Sequence, residues 1–412
     1  MSEWKEYKLG KLVDVLSSKR IFYKDYVSSG IPFYRSKEII EKSENKTIDK
    51  PLFISEEKFQ TIKEKYGIPT NGDILISSVG MRSGIPYLVY DDGDFYFKDG
   101  NLIWLRNFKN DLDSLFLCYW LKSDLGQFSL ENIMIGSAQP ALTIAGLRNL
   151  ELQLPKIQEQ KIIAEILSSI DGKIELLNRQ NKTLEQMAET LFRQWFVEEA
   201  KEDWDYIELG GFIKCYNGVS YKSSELNPSD IAMVTLKSFA RDGSFRLDGF
   251  KEFTGNFKAV HIVKQGDLVV AHTDITQDAA LVGNPVLVIG IEEYKTLIIS
   301  MDLVKVEPKF KWMSKEFLYF LMKSRIFKQH CLGYANGSTV LHLSKDAIPT
   351  FEFFLPPKDK IEEFSKHASW LLNKKNLNIS QIRSLEKLRD TLLPKLMSGE
   401  VILNMKNKDY EN

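Results

Sequence analysis

The chain repeats itself, and the repeat limits what it can fold into more than any other feature. Trp4, Leu9 and Gly10 recur as Trp204, Leu209 and Gly210. The segment Phe116–Ser123 recurs as Phe317–Ser324, and Gly72-Asp73 recurs as Gly266-Asp267 at a shorter offset of 194. Gly136 to Pro155 aligns without gaps on Gly337 to Pro356, with six of the twenty positions identical. Four blocks in one order are a duplication, and a period near 200 is too long for a solenoid, so each copy is a domain with its own core. The ends of the copies match while their interiors have diverged.

Each copy has the same plan. Strand-like runs come first, Asp73–Ser77 matched by Asp267–Ala271. One clear helix follows, Leu112–Phe128 matched by Lys315–His330. The copy closes at Leu-Pro, residues 154–155 and 355–356, and a long helical stretch begins. The aromatic runs Phe95-Tyr96-Phe97 and Phe351-Glu352-Phe353-Phe354 read as sheet core. These patterns predict an α+β chain of two similar globular domains of mixed α/β structure, separated by two long helices.

From about Lys156 to Val197 there is one glycine, Gly172, and no proline. Ile163, Leu167, Ile170, Ile174, Leu177, Asn181, Leu184, Ala188, Leu191 and Trp195 are spaced 4,3,4,3 without a break, a heptad seam of roughly 50 Å. Adding 201 maps it to Phe364, Ala368, Leu371, Lys375, Asn378, Ile382, Leu385, Arg389, Leu392 and Leu396. Lys375, Asn378 and Arg389 break the apolar pattern, so the N-terminal part of the second helix is expected to pack less tightly than its end. Pro394 is expected to kink or finish that helix. The simplest partner for each helix is the other, in an antiparallel coiled coil with a pseudo-two-fold axis. Asn181 either fixes the register as a buried polar residue or points partly to solvent. The segments are 1–155 and 201–356 for the globular domains, 156–200 and 357–399 for the helices, and 400–412 for a tail.

Enzyme signatures are missing. There is no Asn/Asp-Pro-Pro-Tyr/Phe, no GxxxxGK(S/T), no Gly-rich loop opening a helix and no Pro-Asp to start a nuclease motif. The five histidines are scattered without metal spacing, and the three cysteines form no CxxC pair. Unpaired cysteines, a charged start without an apolar h-region and no bilayer-length apolar run together lead to the expectation of a cytoplasmic protein with no membrane contact. Net charge is −1, with 20 basic and 21 acidic residues in 1–155 and 17 of each in 204–356. A protein that holds DNA alone usually has a basic excess, so DNA binding would need local patches or a partner's charge.

Two half-similar domains, each closed by Leu-Pro and a long helix, resemble the specificity subunit of type I restriction–modification systems. Gly30-Ile31-Pro32-Phe33, Gly72–Ser77, Leu154–Ile163 and Asp390–Glu400 resemble that family's local motifs. The second copy departs at Ile231-Ala232-Met233 and at Asp359-Lys360-Ile361. The resemblance implies two target-recognition domains that each read half of a split double-stranded DNA site. It also implies helices that space them and dock two copies of a methyltransferase subunit, and a restriction motor–nuclease subunit that joins. The chain itself would be non-catalytic and hold no cofactor, with AdoMet and ATP/Mg in the partner subunits. A stand-alone DNA-binding regulator and a coiled-coil assembly protein without DNA contact are the alternatives.

Base readers are polar or charged groups on loops. In the first copy these are Tyr34-Arg35-Ser36-Lys37, then Ser78, Arg82 and Ser83, then Ser137 and Gln139. In the second they are Thr235 and Lys237, then His272, Thr273, Asp274 and Gln277, then Ser338, Thr339 and His342. Lys37 and Lys237 share an offset of 200, which suits a common phosphate contact.

Overall fold

In a computed structural model, described here for residues 4–136, 139–201, 203–241, 243–276 and 278–401, the chain divides into two compact units. One comprises Met1–Leu176 with Ile382–Asn412, the other Leu177–Gln381. Each long helix therefore begins in one unit and ends in the other. Most of the expected tail, residues 402–412, lies outside the described residues.

The duplication is written into the topology. In the first unit Asp14–Leu16, Leu102–Arg106, Ile74–Ser77 and Pro86–Leu88 form an antiparallel sheet in that order. In the second, Ile213–Asn217, Leu303–Pro308, Leu268–Ala271 and Pro285–Leu287 repeat it. The central strands Ile74–Ser77 and Leu268–Ala271 are buried along their whole length, which is why they read as continuous runs rather than alternations. A second sheet in each unit contains one parallel pair, Phe33-Tyr34 on Tyr96-Phe97 and Ile231–Val234 on Thr296–Ile299. Phe95, Tyr96 and Phe97 are core, as expected, while Phe354 lies at the surface beside Tyr206. The ends of each globular part are clasped by an antiparallel pair, Lys5–Lys8 on Glu151–Leu154 and Tyr206–Glu208 on Glu352–Phe354.

The single helix expected in each copy is two. Ser114–Lys122 is followed by Asp124–Ile133, and Lys315–Lys323 by Arg325–Gly333. Ser123 and Ser324 are extended, and their hydroxyls accept from the backbone N of Gly126 and Phe327. An N-cap serine ends one helix by starting the next. The turn is tight enough that a Cβ on Gly126 would sit 1.9 Å from the Trp120 carbonyl oxygen.

The long helices run Ile157–Arg193 and Lys358–Met397. In the first unit Ile163, Ala164 and Leu167 share a core with Leu396 and Met397, while further along Asp171 meets Arg389. In the second unit Asn181 meets Asn378 and Glu185 meets Lys375. Rising numbers on one helix meet falling numbers on the other, so the pairing within each unit is antiparallel. The start of the second helix is not the loose part. Ile361, Phe364 and Ala368 are fully buried in a core with Phe192, Phe317 and Phe353. The weak seam positions are instead polar pairs. Pro394 lies in the last turn of the helix, which ends three residues on at Met397, and Gly399 follows in the left-handed region. Among the described residues no helix is long and apolar enough to cross a membrane.

Candidate nucleic-acid interface

Four chain segments meet at one strip in each unit. In the first, Lys98 N donates to Tyr34 O at 2.9 Å, Ser36 Oγ to Asn101 O at 2.8 Å and Ser78 N to Asn101 O at 2.9 Å. Leu142 N donates to Ser78 O at 2.8 Å and Gly80 N to Pro140 O at 3.1 Å. The second unit uses the same wiring. Ser300 N donates to Val234 O at 3.0 Å, His272 N to Asp302 O at 2.7 Å and Leu343 N to His272 O at 2.8 Å. Thr273 pairs with His342, and Asn336 with His342, in a small antiparallel sheet. The strand–helix junction, the loop after the central strand and the 135–141 or 335–342 hairpin are thus neighbours in both copies.

The turn that ties them together, 98–101 in one unit and 300–302 in the other, was not among the expected contacts. Its signal was present in the turn dipeptide Asp99-Gly100. It brings exposed Lys19 and Arg20 to the same strip, through the bond from Lys19 N to Tyr96 Oη at 2.8 Å and the Arg20–Asp99 ion pair at 2.8 Å.

The expected readers divide into two groups. Lys37, Arg82 and Gln139 are exposed in the first unit, and Lys237, Ser338, Thr339 and His342 in the second. The polar atoms of several others are occupied inside the fold. Tyr34 is buried, its ring centroid 5.1 Å from that of Phe95. Ser78 is buried with its hydroxyl on Gly100 O at 3.3 Å, and Ser83 places its hydroxyl 3.3 Å from Met134 Sδ. Thr235 Oγ1 donates to Gly249 O at 2.9 Å, and Thr273 Oγ1 to Asp302 Oδ1 at 2.9 Å. Asp274 is fully buried and accepts from Thr276 N and Oγ1 and from the backbone N of Leu281 and Val282. Burial alone would raise its carboxyl, but these four donors outweigh it and hold the pKa below the usual range. Tyr34, Ser78, Thr235, Thr273 and Asp274 therefore build the strip rather than face out of it. Ser137 and Gln277 lie outside the described residues.

The charges on the strip are largely spent. Arg35 is paired with the buried Glu38, whose second oxygen accepts from Arg35 N at 2.8 Å. Burial pushes the Glu38 carboxyl up, and the hydrogen bonds and charge of Arg35 bring it below its ordinary value. Arg82 pairs with Glu44, and Lys37 lies 3.6 Å from Glu41. His272 is half-buried, and its Nε2 has no partner among the described residues. Burial first, then His342 and Lys345, lower its pKa, so it is neutral near pH 7. A neutral imidazole with one free nitrogen at such a strip can donate or accept one hydrogen bond.

A family model described as the type I restriction modification DNA specificity domain matches residues 1–186. The type I restriction enzyme MjaIX specificity subunit of Methanocaldococcus jannaschii is 25% identical, over 80% of this chain and 78% of its own length. The HindI specificity subunit of Haemophilus influenzae is 24% identical over 97% of this chain and 100% of its own. Among solved structures, a type I restriction–modification S subunit from M. genitalium has a TM-score of 0.62 at 18% identity, over 95% of this chain and 96% of its own, a likeness of fold. Residues 1–186 thus match the model of the type I restriction modification DNA specificity domain, and most of the chain is similar to specificity subunits of type I restriction–modification systems.

Proposed function

We propose that the chain reads a bipartite double-stranded DNA target, one half-site per recognition module, and docks two methyltransferase subunits and a restriction motor–nuclease subunit. The modules are residues 1–155 and 201–356, with 156–200 and 357–399 as spacer helices. AdoMet, ATP and Mg are supplied by the partners. One observation carries this reading: the same four-segment strip is built twice with the same backbone wiring, while the side chains it displays differ. The strip exposes Lys37, Arg82 and Gln139 in one copy and Lys237, Ser338, Thr339 and His342 in the other, alike only in the lysine at the shared offset. A conserved scaffold with divergent display is what two different half-sites require.

Docking is supported by apolar side chains left open on the long helices. Trp370 and Leu377, seven residues apart on one helix face, are each 66% exposed. The charge balance makes DNA binding conditional on the methyltransferase, whose basic groups would neutralise most of the phosphates. An electrophoretic shift at physiological salt tests this. The pure chain is expected to bind a target duplex weakly and the chain with its methyltransferase subunit tightly. Tight, sequence-specific binding by the pure chain would instead identify a stand-alone regulator.

A further inference from the structure

The loop after the central strand of each unit ends in a large apolar side chain held in water. Met81 is 92% exposed and Ile275 is 71% exposed. They are 194 residues apart, the same offset that relates Gly72-Asp73 to Gly266-Asp267 at the start of the same strands. Around them the loop sequences share nothing: Val79-Gly80-Met81-Arg82-Ser83 in one copy corresponds to Thr273-Asp274-Ile275-Thr276 in the other.

The two loops are also built by different means. In the first, Gly80 turns in the left-handed region at φ 96°, Ser83 N donates to Gly80 O at 3.0 Å, and Gly84 N donates to Ser77 O at 2.7 Å. Ser77 Oγ closes the base on Arg82 O at 2.6 Å. In the second, the buried Asp274 carboxylate gathers four donors from Thr276, Leu281 and Val282. Single exposed apolar side chains are ordinary on protein surfaces, so exposure alone decides nothing. Two unrelated devices that deliver an apolar side chain to the same apex, on the strip that faces DNA in the proposal above, are not explained by that background.

DNA offers apolar surface in its grooves in two places, the 5-methyl of thymine and the face of a base at an opened step. Resting on the DNA-reading proposal, we infer that Met81 and Ile275 are apolar base-contact residues, one for each half-site. Such a contact carries specificity without charge. Its removal lowers affinity by the same factor at every salt concentration, whereas removal of a phosphate-contacting lysine changes the salt slope.

The test uses the full chain in complex with its methyltransferase subunit and its target duplex, over a salt series. Met81→Ala and Ile275→Ala should each weaken binding by about tenfold, the lower end of one lost base contact, with the slope unchanged. Leu125→Ala, which removes a side chain 47% exposed elsewhere in the first unit, should bind as wild type. Uracil in place of thymine should cost the wild type the same factor, and Met81→Ala nothing more, where the contact is to a methyl. A rise in 2-aminopurine fluorescence on wild-type binding that the alanine variants lack marks an opened step instead. An effect in one loop only overturns the assignment of the other residue. Wild-type affinity in both variants, or a loss that appears as a changed slope, overturns the inference while leaving the DNA-reading proposal intact. A wild-type complex that prefers no sequence overturns both.

Discussion

Asn378 Nδ2 donates to Asn181 Oδ1 at 3.0 Å, and both side chains are buried between the two long helices. The pair meets at a seam position on each helix, so Asn181 is a buried polar residue rather than a solvent-facing one. A heptad seam of leucines and isoleucines can slide by a turn at small cost. A single amide pair cannot, since any slip buries both amides without partners.

Removing one partner should therefore cost more than removing both. Asn181→Leu is expected to destabilise the second unit by about 1–3 kcal/mol, because Asn378 is left buried and unpaired. Asn181→Leu with Asn378→Leu should recover that loss or exceed it, at the expense of a unique register. Thermal unfolding of the three proteins checks the order; a double variant less stable than the single one would contradict it.

Four residues along, Glu185 is held by Lys375 and Lys323 and accepts from Tyr319 Oη at 2.6 Å. Burial pushes its carboxyl up, and the two lysines more than reverse this, leaving it at about 2 against an ordinary 4.5. A depressed folded-state pKa gives stability that is complete above 4.5 and lost as pH falls through about 2. The loss should reach about 3 kcal/mol over that window. Glu185→Gln should be less stable at neutral pH and show a flatter acid limb. Parallel acid limbs in denaturant titrations would refute the assignment.

Lys37 and Arg35 are neighbours with opposite roles. Arg35→Ala strips the partner from buried Glu38 and is expected to cost the first unit about 2 kcal/mol in chemical denaturation. Lys37 is exposed, and Lys37→Ala should change stability by less than about 0.5 kcal/mol. In the methyltransferase complex, Lys37→Ala and Lys237→Ala should each reduce the salt slope of DNA binding by about 1. An unchanged slope in both would remove them from the phosphate contacts.

Gly172 sits inside the first long helix, and nothing lies within 4 Å of where its Cβ would be. Gly172→Ala should raise stability by about 0.5–1 kcal/mol, since alanine loses less backbone freedom on folding. A lower melting temperature would show that the position is packed after all.

The duplication, the two long helices and the seam were legible because they rest on patterns that local chemistry enforces: a repeat, a 4,3,4,3 spacing and Leu-Pro ends. The breaks at Ser123 and Ser324 were missed because a serine within an apolar helical pattern reads as interior until its cap geometry is seen. Lys375 and Arg389 looked like weak points because a single helix does not reveal the carboxylates, Glu185 and Asp171, that face them. At the strip, residue type did not reveal which side chains face out and which are used inside the fold. Asp274 and Thr273 have the chemistry of base readers and are used to fold the loop. Met81 and Ile275 lack that chemistry and stand at its tip.

The most direct test of the whole account is the pattern of methylated bases left by the chain co-expressed with its methyltransferase subunit in a host free of other DNA methylation. Methylated adenines are expected in one asymmetric motif made of two specified parts separated by a fixed unspecified spacer. A continuous motif, or no methylation with a methyltransferase shown to be active, would contradict it.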